Sequence, residues 1–241
     1  MIDLQAIPET LVLGVGNVLF GDEGLGVHLA SLLQQNYHFT IDDQTEHNAT
    51  VSDHRAPHLA AIRPAHVLMH ASPPRSQQPA APCDRLPFRP RDHLHATLDI
   101  VDGGTLGPHL IPLLADYRRV LLLDTITASG AAPGEVFCFD YQQVPAPVTG
   151  RGSAHEVEMH QTLAMMRMAG DLPRITVLAA VPTIISETTF KLSPKIEQAA
   201  VLMEQKALEI LAGWGFRATP IAAKPIAEIA RQCCQGVGRV A

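Results

Sequence analysis

The sequence predicts an α/β protein, a three-layer α/β/α sandwich around a mostly parallel five-stranded sheet with one antiparallel strand. Short apolar runs, of the kind that is buried on both faces of a parallel sheet, alternate along the chain with stretches of helical periodicity. A Pro-Gly pair at 133–134 precedes one of these runs and favours a reversal of direction there. With 241 residues, 46% of them hydrophobic, the chain is long enough for one sizeable core.

The first predicted unit is a strand over residues 11–13, a glycine-rich loop and a helix over residues 24–35. Asp22 and Glu23 stand where the helix begins, at the carboxyl end of the strand, which is where ligands bind in open α/β sheets. Asp22 is interpreted as the cap of this helix. Glu23 either favours the positive end of the helix or is a metal ligand. A dinucleotide fingerprint is excluded because Leu19 stands where its third glycine is required.

Residues 41–97 interrupt this alternation. Prolines are frequent, there is little sustained periodicity, and seven of the twelve histidines lie in this tract. We therefore expect a single α/β domain over residues 1–241 with an insertion at about 41–97, in which a short helix over residues 56–68 is the one candidate element. The histidine content also suggests a metal store, although no pair of histidines forms a tight ligand pattern.

Strands and helices alternate again after the tract. Strands are expected at residues 98–101, 120–123, 134–139 and 175–181, the third of them reversed. Helices are expected at residues 106–117, 154–168, 194–213 and 226–234. Ser153 and Ser193 are interpreted as the caps of the second and third of these helices. The last helix lies in a C-terminal tail that begins at about residue 214.

Composition excludes several classes of function. The net charge of -6 and the lack of a basic region argue against a nucleic-acid partner. No stretch approaches the roughly 20 apolar residues of a membrane span. The first ten residues lack the positively charged region of a signal peptide. The four cysteines have no C-x-x-C spacing, and Cys233 and Cys234 are adjacent, so a reducing, cytoplasmic location is expected.

Three polar residues occupy equivalent places in the predicted topology. Glu23 follows the first strand, Asp124 follows the strand over residues 120–123, and His155 begins a helix. The carboxyl ends of parallel strands share one edge of a sheet, so two carboxylates and one imidazole can meet there. Such a set, with coordination positions left open, can hold a divalent metal such as nickel or zinc.

The segment from His155 to His160 superficially resembles the zinc-protease motif H-E-x-x-H. Its second histidine is one position too late, because five residues turn a helix by roughly 140° away from the first side chain. One helix face therefore cannot present both imidazoles to one metal. His160 is interpreted as a helix-face or core histidine.

Taken together, the motifs resemble those of the hydrogenase maturation endopeptidase family. The matching segments are Gly14-Val15-Gly16-Asn17, Gly21-Asp22-Glu23-Gly24, Asp102-Gly103-Gly104-Thr105, Leu123-Asp124, Pro133-Gly134 and Ser153-Ala154-His155. The resemblance covers nearly all of residues 10–212 apart from the proline- and histidine-rich tract. It implies an α/β/α fold and the removal of a short C-terminal peptide from the nickel-loaded precursor of a hydrogenase large subunit.

The resemblance also implies roles for individual residues. Glu23, Asp124 and His155 match the metal-binding positions of the family, the metal being nickel supplied by the substrate precursor. Glu23 and Asp124 are the candidate catalytic groups of an aspartyl protease-like hydrolase, and either a metal-bound water or a carboxylate base drives hydrolysis. The turn Asp102-Gly103-Gly104 is expected to contact the precursor.

Two other functions fit the same residues. A non-enzymatic nickel-binding chaperone or store would use the three ligands together with the histidine-rich tract. A self-contained metallohydrolase would retain zinc and cleave small peptides. The precursor is the expected partner of the endopeptidase, and neither nucleic acid nor a membrane span is expected.

Overall fold

The structure is a computed structural model that describes residues 9–42, 62–64, 98–143, 154–183 and 188–237. Side chains are described for all of these except residues 62–64, 154–156 and 233–237. The predicted cap Ser153 therefore lies outside the described residues, as does most of the 41–97 tract.

Eight strands and five α-helices follow one another in the described part of the chain. The strands are β1 (Thr10–Val15), β2 (Tyr37–Ile41), β3 (Ile62–Pro64), β4 (Leu98–Gly104), β5 (Arg119–Thr125), β6 (Val136–Asp140), β7 (Arg174–Ala180) and β8 (Phe216–Pro220). The helices are α1 (Leu25–Asn36), α2 (Ile111–Ala115), α3 (Ala154–Ala169), α4 (Pro194–Gly213) and α5 (Ile226–Val237).

The main sheet has the strand order β3-β6-β7-β5-β1-β4. Strands β1, β4, β5 and β7 are parallel, and β6 runs antiparallel to β7. All five predicted strands are present and the predicted reversal is confirmed. The three-residue β3 adds a sixth strand beside β6, so the helix predicted over residues 56–68 is wrong at residues 62–64. The rest of that predicted helix lies outside the described residues.

The core consists of two apolar layers, one on each face of the sheet. In β1, Leu11 and Leu13 point to one face and Val12 to the other, because successive side chains of a strand alternate. Helices α1, α4 and α5 cover the Val12 face, and α3 covers the Leu11 face. The side chains of Leu11, Val12 and Leu13 are all fully buried. These layers confirm the α/β/α sandwich that the continuous apolar runs predicted.

The predicted helix over residues 106–117 is divided into two shorter elements. A 3-10 turn, Gly107–Leu110, leads into α2, and each element has a proline within its first two positions. Proline lacks the amide hydrogen that an interior helical position requires, so it is accommodated only in a first turn. Two prolines four residues apart, Pro108 and Pro112, therefore each begin a new helical segment.

A second, two-stranded antiparallel sheet joins β2 to β8, and neither strand was predicted. The pairing runs from Tyr37 opposite Pro220 to Ile41 opposite Phe216. The stretch beyond residue 214, interpreted from the sequence as a tail, thus contains β8 and α5. The predicted helix over residues 226–234 is confirmed as α5, and its Ile226 and Ile229 belong to the core. Within the described residues, no helix has the length and apolarity to cross a bilayer.

Candidate functional site

Three loops that contain the predicted site residues meet at the carboxyl edge of the main sheet. β1 lies between β4 and β5, and all three strands run in the same direction. Glu23 lies on a 3-10 turn after β1, Asp102 near the end of β4, and Asp124 near the end of β5. The topology therefore brings residues that are about 100 positions apart in sequence to one edge.

Two glycines allow the loop before Glu23 to fold tightly against itself. Gly16 has a φ of 140°, and a Cβ atom there would lie 1.9 Å from the carbonyl oxygen of Glu23. That same oxygen accepts a hydrogen bond of 3.1 Å from the Asn17 amide, and the Glu23 amide donates to the Phe20 carbonyl. The Gly14-x-Gly16 pattern thus permits close backbone approach within the protein, and the Glu23 backbone is held on both sides.

A close contact at Gly26 packs the start of α1, which follows Glu23, against the end of β5, which contains Asp124. A Cβ atom at Gly26 would lie 2.2 Å from the carbonyl oxygen of Leu123 and 2.4 Å from that of Val15. The first turn of α1 therefore rests directly on the ends of β5 and β1. Glu23 precedes Gly26 by three residues, and Asp124 follows Leu123.

The two carboxylates have different environments. Asp124 is 4% exposed, and its Oδ1 accepts a hydrogen bond of 2.7 Å from the Thr125 amide. Glu23 is half-buried at the rim of the same edge. Asp124 is therefore a buried, hydrogen-bonded carboxylate, whereas Glu23 is partly accessible to solvent.

The turn at the end of β4 is built around the side chain of Asp102. Its Oδ1 accepts a hydrogen bond of 2.8 Å from the Gly104 amide, and Gly104 has a φ of 48°. The Gly104 carbonyl in turn accepts a hydrogen bond of 2.9 Å from the Gly16 amide, which joins the β4 and β1 loops. At Gly103 a Cβ atom would lie 2.8 Å from Leu13 Cδ1, so the chain is closely packed here. Contact of this turn with substrate stays a prediction.

His155 lies in the first turn of α3, and its side chain is outside the described part of the structure. Helix α3 packs on the sheet through Met159, Leu163 and Met166 and ends shortly before β7 begins. Its 16 residues span about 24 Å, close to the length of β7, so its first turn lies toward the carboxyl edge. Among the described side chains, no three histidine, cysteine or carboxylate groups form a complete metal site.

His160 packs against the ring of Tyr141, with ring centroids 6.4 Å apart and an interplanar angle of 29°. Burial lowers the pKa of His160, and the negative charge of Asp124 opposes that shift. These observations agree with the interpretation of His160 as a partly buried helix-face histidine.

The interpretation of Asp22 as the cap of α1 is wrong. The N-cap of α1 is Gly24, and no side chain caps the helix. Asp22 is fully buried and accepts hydrogen bonds from the Thr183 amide, the Ser193 amide and the Ser193 hydroxyl. The 3-10 turn places its side chain against the start of α4, where Ser193 is the confirmed N-cap. No short-range pattern in the sequence indicates this long-range pairing.

A residue that the sequence interpretation missed is His28, which is 1% exposed in α1. Neither ring nitrogen has a hydrogen-bond partner among the described residues, and burial lowers the pKa of His28 to about 4. Its Nε2 would lie 3.1 Å from a Cβ atom at Gly24, beside the loop that carries Glu23. The sequence signal was a histidine within the inward-facing apolar stripe of the first helix.

Comparisons with known proteins relate this chain to hydrogenase maturation proteases. A family model described as hydrogenase maturation protease matches residues 88–210. Protein HydD of Wolinella succinogenes is 46% identical over 134 residues, which cover 55% of this chain and 84% of that protein. The hydrogenase 2 maturation protease of Escherichia coli is 25% identical over 211 residues, which cover 87% of this chain and 94% of that enzyme.

The fold is also similar to that of a solved structure. The hydrogenase maturating endopeptidase HybD from E. coli superposes with a TM-score of 0.60 at 23% identity, over 88% of this chain and 98% of that chain. This likeness supports the α/β architecture, whereas the family model and the 46% identical relative concern the sequence itself. The chain belongs to the hydrogenase maturation protease family.

Proposed function

We propose that this protein is an endopeptidase that removes the C-terminal extension of a nickel-loaded hydrogenase large-subunit precursor. Glu23, Asp124 and His155 recognise the nickel that the precursor carries. The observation that supports this most directly is the contact of Gly26 with the Leu123 carbonyl, since it holds the loops of Glu23 and Asp124 together at one edge. The backbone of α3 directs the turn that contains His155 toward the same edge.

The chemistry of these side chains suits a metal that arrives with the substrate. Two carboxylate oxygens and one imidazole nitrogen are acceptable ligands for nickel, and three protein ligands leave positions for groups of the precursor. The bound metal then fixes the register of the precursor at this edge, and the Asp102-Gly103-Gly104 turn contacts the adjacent peptide. Either a water bound to that metal would attack the scissile amide, or Glu23 or Asp124 would be the base that activates the attacking water.

A cytoplasmic location is part of the proposal, and it is supported by the adjacent cysteines and by the absence of C-x-x-C spacing. The partner is the precursor polypeptide. The net charge of -6 does not favour a nucleic acid as partner.

The decisive experiment is to incubate the protein with nickel-loaded and with nickel-free precursor and to measure the mass of the precursor before and after. We expect the loaded precursor alone to lose its C-terminal peptide. An intact loaded precursor would contradict the proposal. Stoichiometric nickel uptake by the isolated protein with no cleaved product would instead favour the chaperone or store, and cleavage of generic peptides would favour a zinc hydrolase.

A paired substitution tests the ligand assignment. His155→Ala should weaken nickel binding and slow processing of the loaded precursor strongly, because one of the three ligands is lost. His109→Ala, which changes an exposed histidine on the Gly107–Leu110 turn, is the control and should process at the normal rate. Normal processing by the His155→Ala variant would exclude His155 as a ligand.

A further inference from the structure

We infer that Asp22 is a positioning residue for Glu23, which fixes the orientation of the 3-10 turn by tying it to the start of α4. The inference rests on the proposed function, because it acts through the metal-binding role of Glu23. It assigns to Asp22 a task separate from metal binding, although the two acidic residues are adjacent in the sequence.

Three hydrogen bonds hold the Asp22 carboxylate. Oδ1 accepts from the Ser193 amide at 2.6 Å, and Oδ2 accepts from the Ser193 hydroxyl at 2.8 Å and the Thr183 amide at 3.0 Å. The Ser193 hydroxyl also accepts from the Ile196 amide, so one serine caps α4 and contacts Asp22. The Asp22 carboxylate thereby binds both the N-cap of α4 and the chain that follows β7.

The direction of these bonds requires a carboxylate. All three partners donate, and an ionised aspartate presents acceptors at both oxygens. Asp22 is fully buried, where an unpaired charge would be costly, and its three bonds offset that cost. An asparagine of the same shape would direct an amide donor at a backbone amide, so it would lose at least one bond and create a repulsive contact.

A second set of contacts joins the residues just before Asp22 to Thr189. The Leu19 carbonyl accepts a hydrogen bond of 3.0 Å from the Thr189 amide, and Phe20 forms a parallel bridge with Thr189. The loop is therefore tied to the 183–193 segment both before and at the 3-10 turn. Since Glu23 follows Asp22 directly, the anchor that restrains Asp22 also limits the movement of the Glu23 backbone.

The Asp22 hydrogen bonds affect the proposed reaction through the position of Glu23. A displacement of about 1 Å of a reacting group can cost about a hundredfold in rate. Loss of the Asp22 anchor should therefore lower kcat through a misplaced Glu23. It should leave KM less affected, because Asp124, His155 and the precursor contacts remain.

A double-mutant cycle tests whether Asp22 acts through Glu23. We compare Asp22→Asn, Glu23→Gln and the double variant in processing of loaded precursor, at a temperature at which circular dichroism shows all of them folded. Asp22→Asn alone should lower kcat about ten- to a hundredfold, and it should add little in the Glu23→Gln background. Asp171→Asn, which changes an exposed aspartate beyond α3, is the matched control and should process normally.

Hydrogen exchange gives a readout that does not depend on processing. Amides of residues 17–24 should exchange faster in Asp22→Asn than in the wild type, whereas amides of β5 should be unchanged. Ser193→Ala, which removes the hydroxyl bond and keeps the amide bond, should give an intermediate effect.

The outcomes separate the inference from the proposed function. Equal losses of kcat from Asp22→Asn in both backgrounds, or unchanged exchange at residues 17–24, would overturn the positioning role. Normal processing by Glu23→Gln alone would contradict the role of Glu23 in the proposed function, and it would overturn the inference with it. Slow processing by Glu23→Gln together with normal processing by Asp22→Asn would overturn the inference and leave the proposed function standing.

Discussion

The imidazole ring of His28 lies on the buried side of α1, where neither nitrogen has a hydrogen-bond partner in the part of the chain that the structure describes. Burial disfavours the charged imidazole, which is why the pKa falls from 6.5 to about 4. In the unfolded chain the same ring takes up a proton near pH 6.5. The residue therefore links folding to pH at a place beside the loop that carries Glu23.

The sign of this linkage gives a prediction at the scale of one residue. Because the folded pKa lies below the unfolded value, the full stability is present above about pH 6.5 and is lost as the pH falls toward 4. The free energy of unfolding that is lost over this pH range amounts to about 3 kcal/mol. Urea denaturation at pH 7, 5.5 and 4.5 should show that the free energy of unfolding falls less with acidification in His28→Leu than in the wild type.

The control for this experiment is His38→Leu, which removes an exposed imidazole from β2. It should keep the acid sensitivity of the wild type. An unchanged pH dependence in His28→Leu would show that other groups destabilise the protein in acid.

Single residues also show where sequence reasoning reaches its limit. Ser193 was identified as a cap because capping depends on neighbours three residues away. The partners of Asp22 are 161 and 171 residues distant, and no local pattern encodes such a pairing. That Glu23 and Asp124 belong to the same edge of the sheet could be predicted, because this edge follows from parallel topology alone, whereas their binding of one metal stays a prediction.

At the scale of elements, the strands of the main sheet were predictable and the small sheet was not. β1 and β5 are continuous apolar runs, and burial on both faces gives them a distinct composition. β2 alternates between half-buried and exposed positions, and its partner β8 is formed by the other end of the chain. Its short alternating pattern was a usable signal, but the identity of its partner was not encoded locally.

The segment that follows β8 is held to the end of α1 mainly by hydrogen bonds of Asn36. Asn36 is 3% exposed, its amide donates to the Lys224 carbonyl, and its side-chain oxygen accepts from the Lys224 amide. The Asn36 carbonyl accepts a further bond from the Ile221 amide. These bonds direct α5 back onto α1, which explains how a stretch interpreted as a tail contributes to the core.

A matched pair of isoleucines tests the contribution of α5. Ile229→Ala removes a side chain that is 0% exposed and should lower the free energy of unfolding by about 2–4 kcal/mol, through lost burial and a cavity. Ile221→Ala removes one that is 63% exposed and should change it by less than about 0.5 kcal/mol. Thermal and urea denaturation measure both. Equal small effects would mean that α5 packs loosely against α1.

At the scale of the whole molecule, β6 and β7 separate β3 of the 41–97 tract from the strands that precede or contain Glu23 and Asp124. β3, the described strand of the tract, is the edge strand beside β6, whereas the loops with Glu23 and Asp124 follow β1 and β5. β7 separates β6 from β5. The backbone framework around Glu23 and Asp124 therefore does not include β3.

Replacing residues 43–93 by a flexible Gly/Ser linker tests this separation. We expect processing of the loaded precursor at the normal rate, together with a modest loss of thermal stability because β6 loses its edge partner. Cleavage assays and thermal denaturation of the same preparation measure the two effects. A large loss of processing in a folded deletion variant would assign the tract a role in substrate handling.

The pairing of β2 with β8 has a consequence for biosynthesis. Asp42 and Arg217, which form an ion pair of 2.6 Å at this sheet, are 175 residues apart. A ribosome must therefore release the chain at least as far as β8 before the small sheet can close, and shorter nascent chains lack both this sheet and α5. Premature termination anywhere upstream of β8 leaves the apolar flank of α1 uncovered, and such fragments become candidates for aggregation or degradation instead of partially working enzymes.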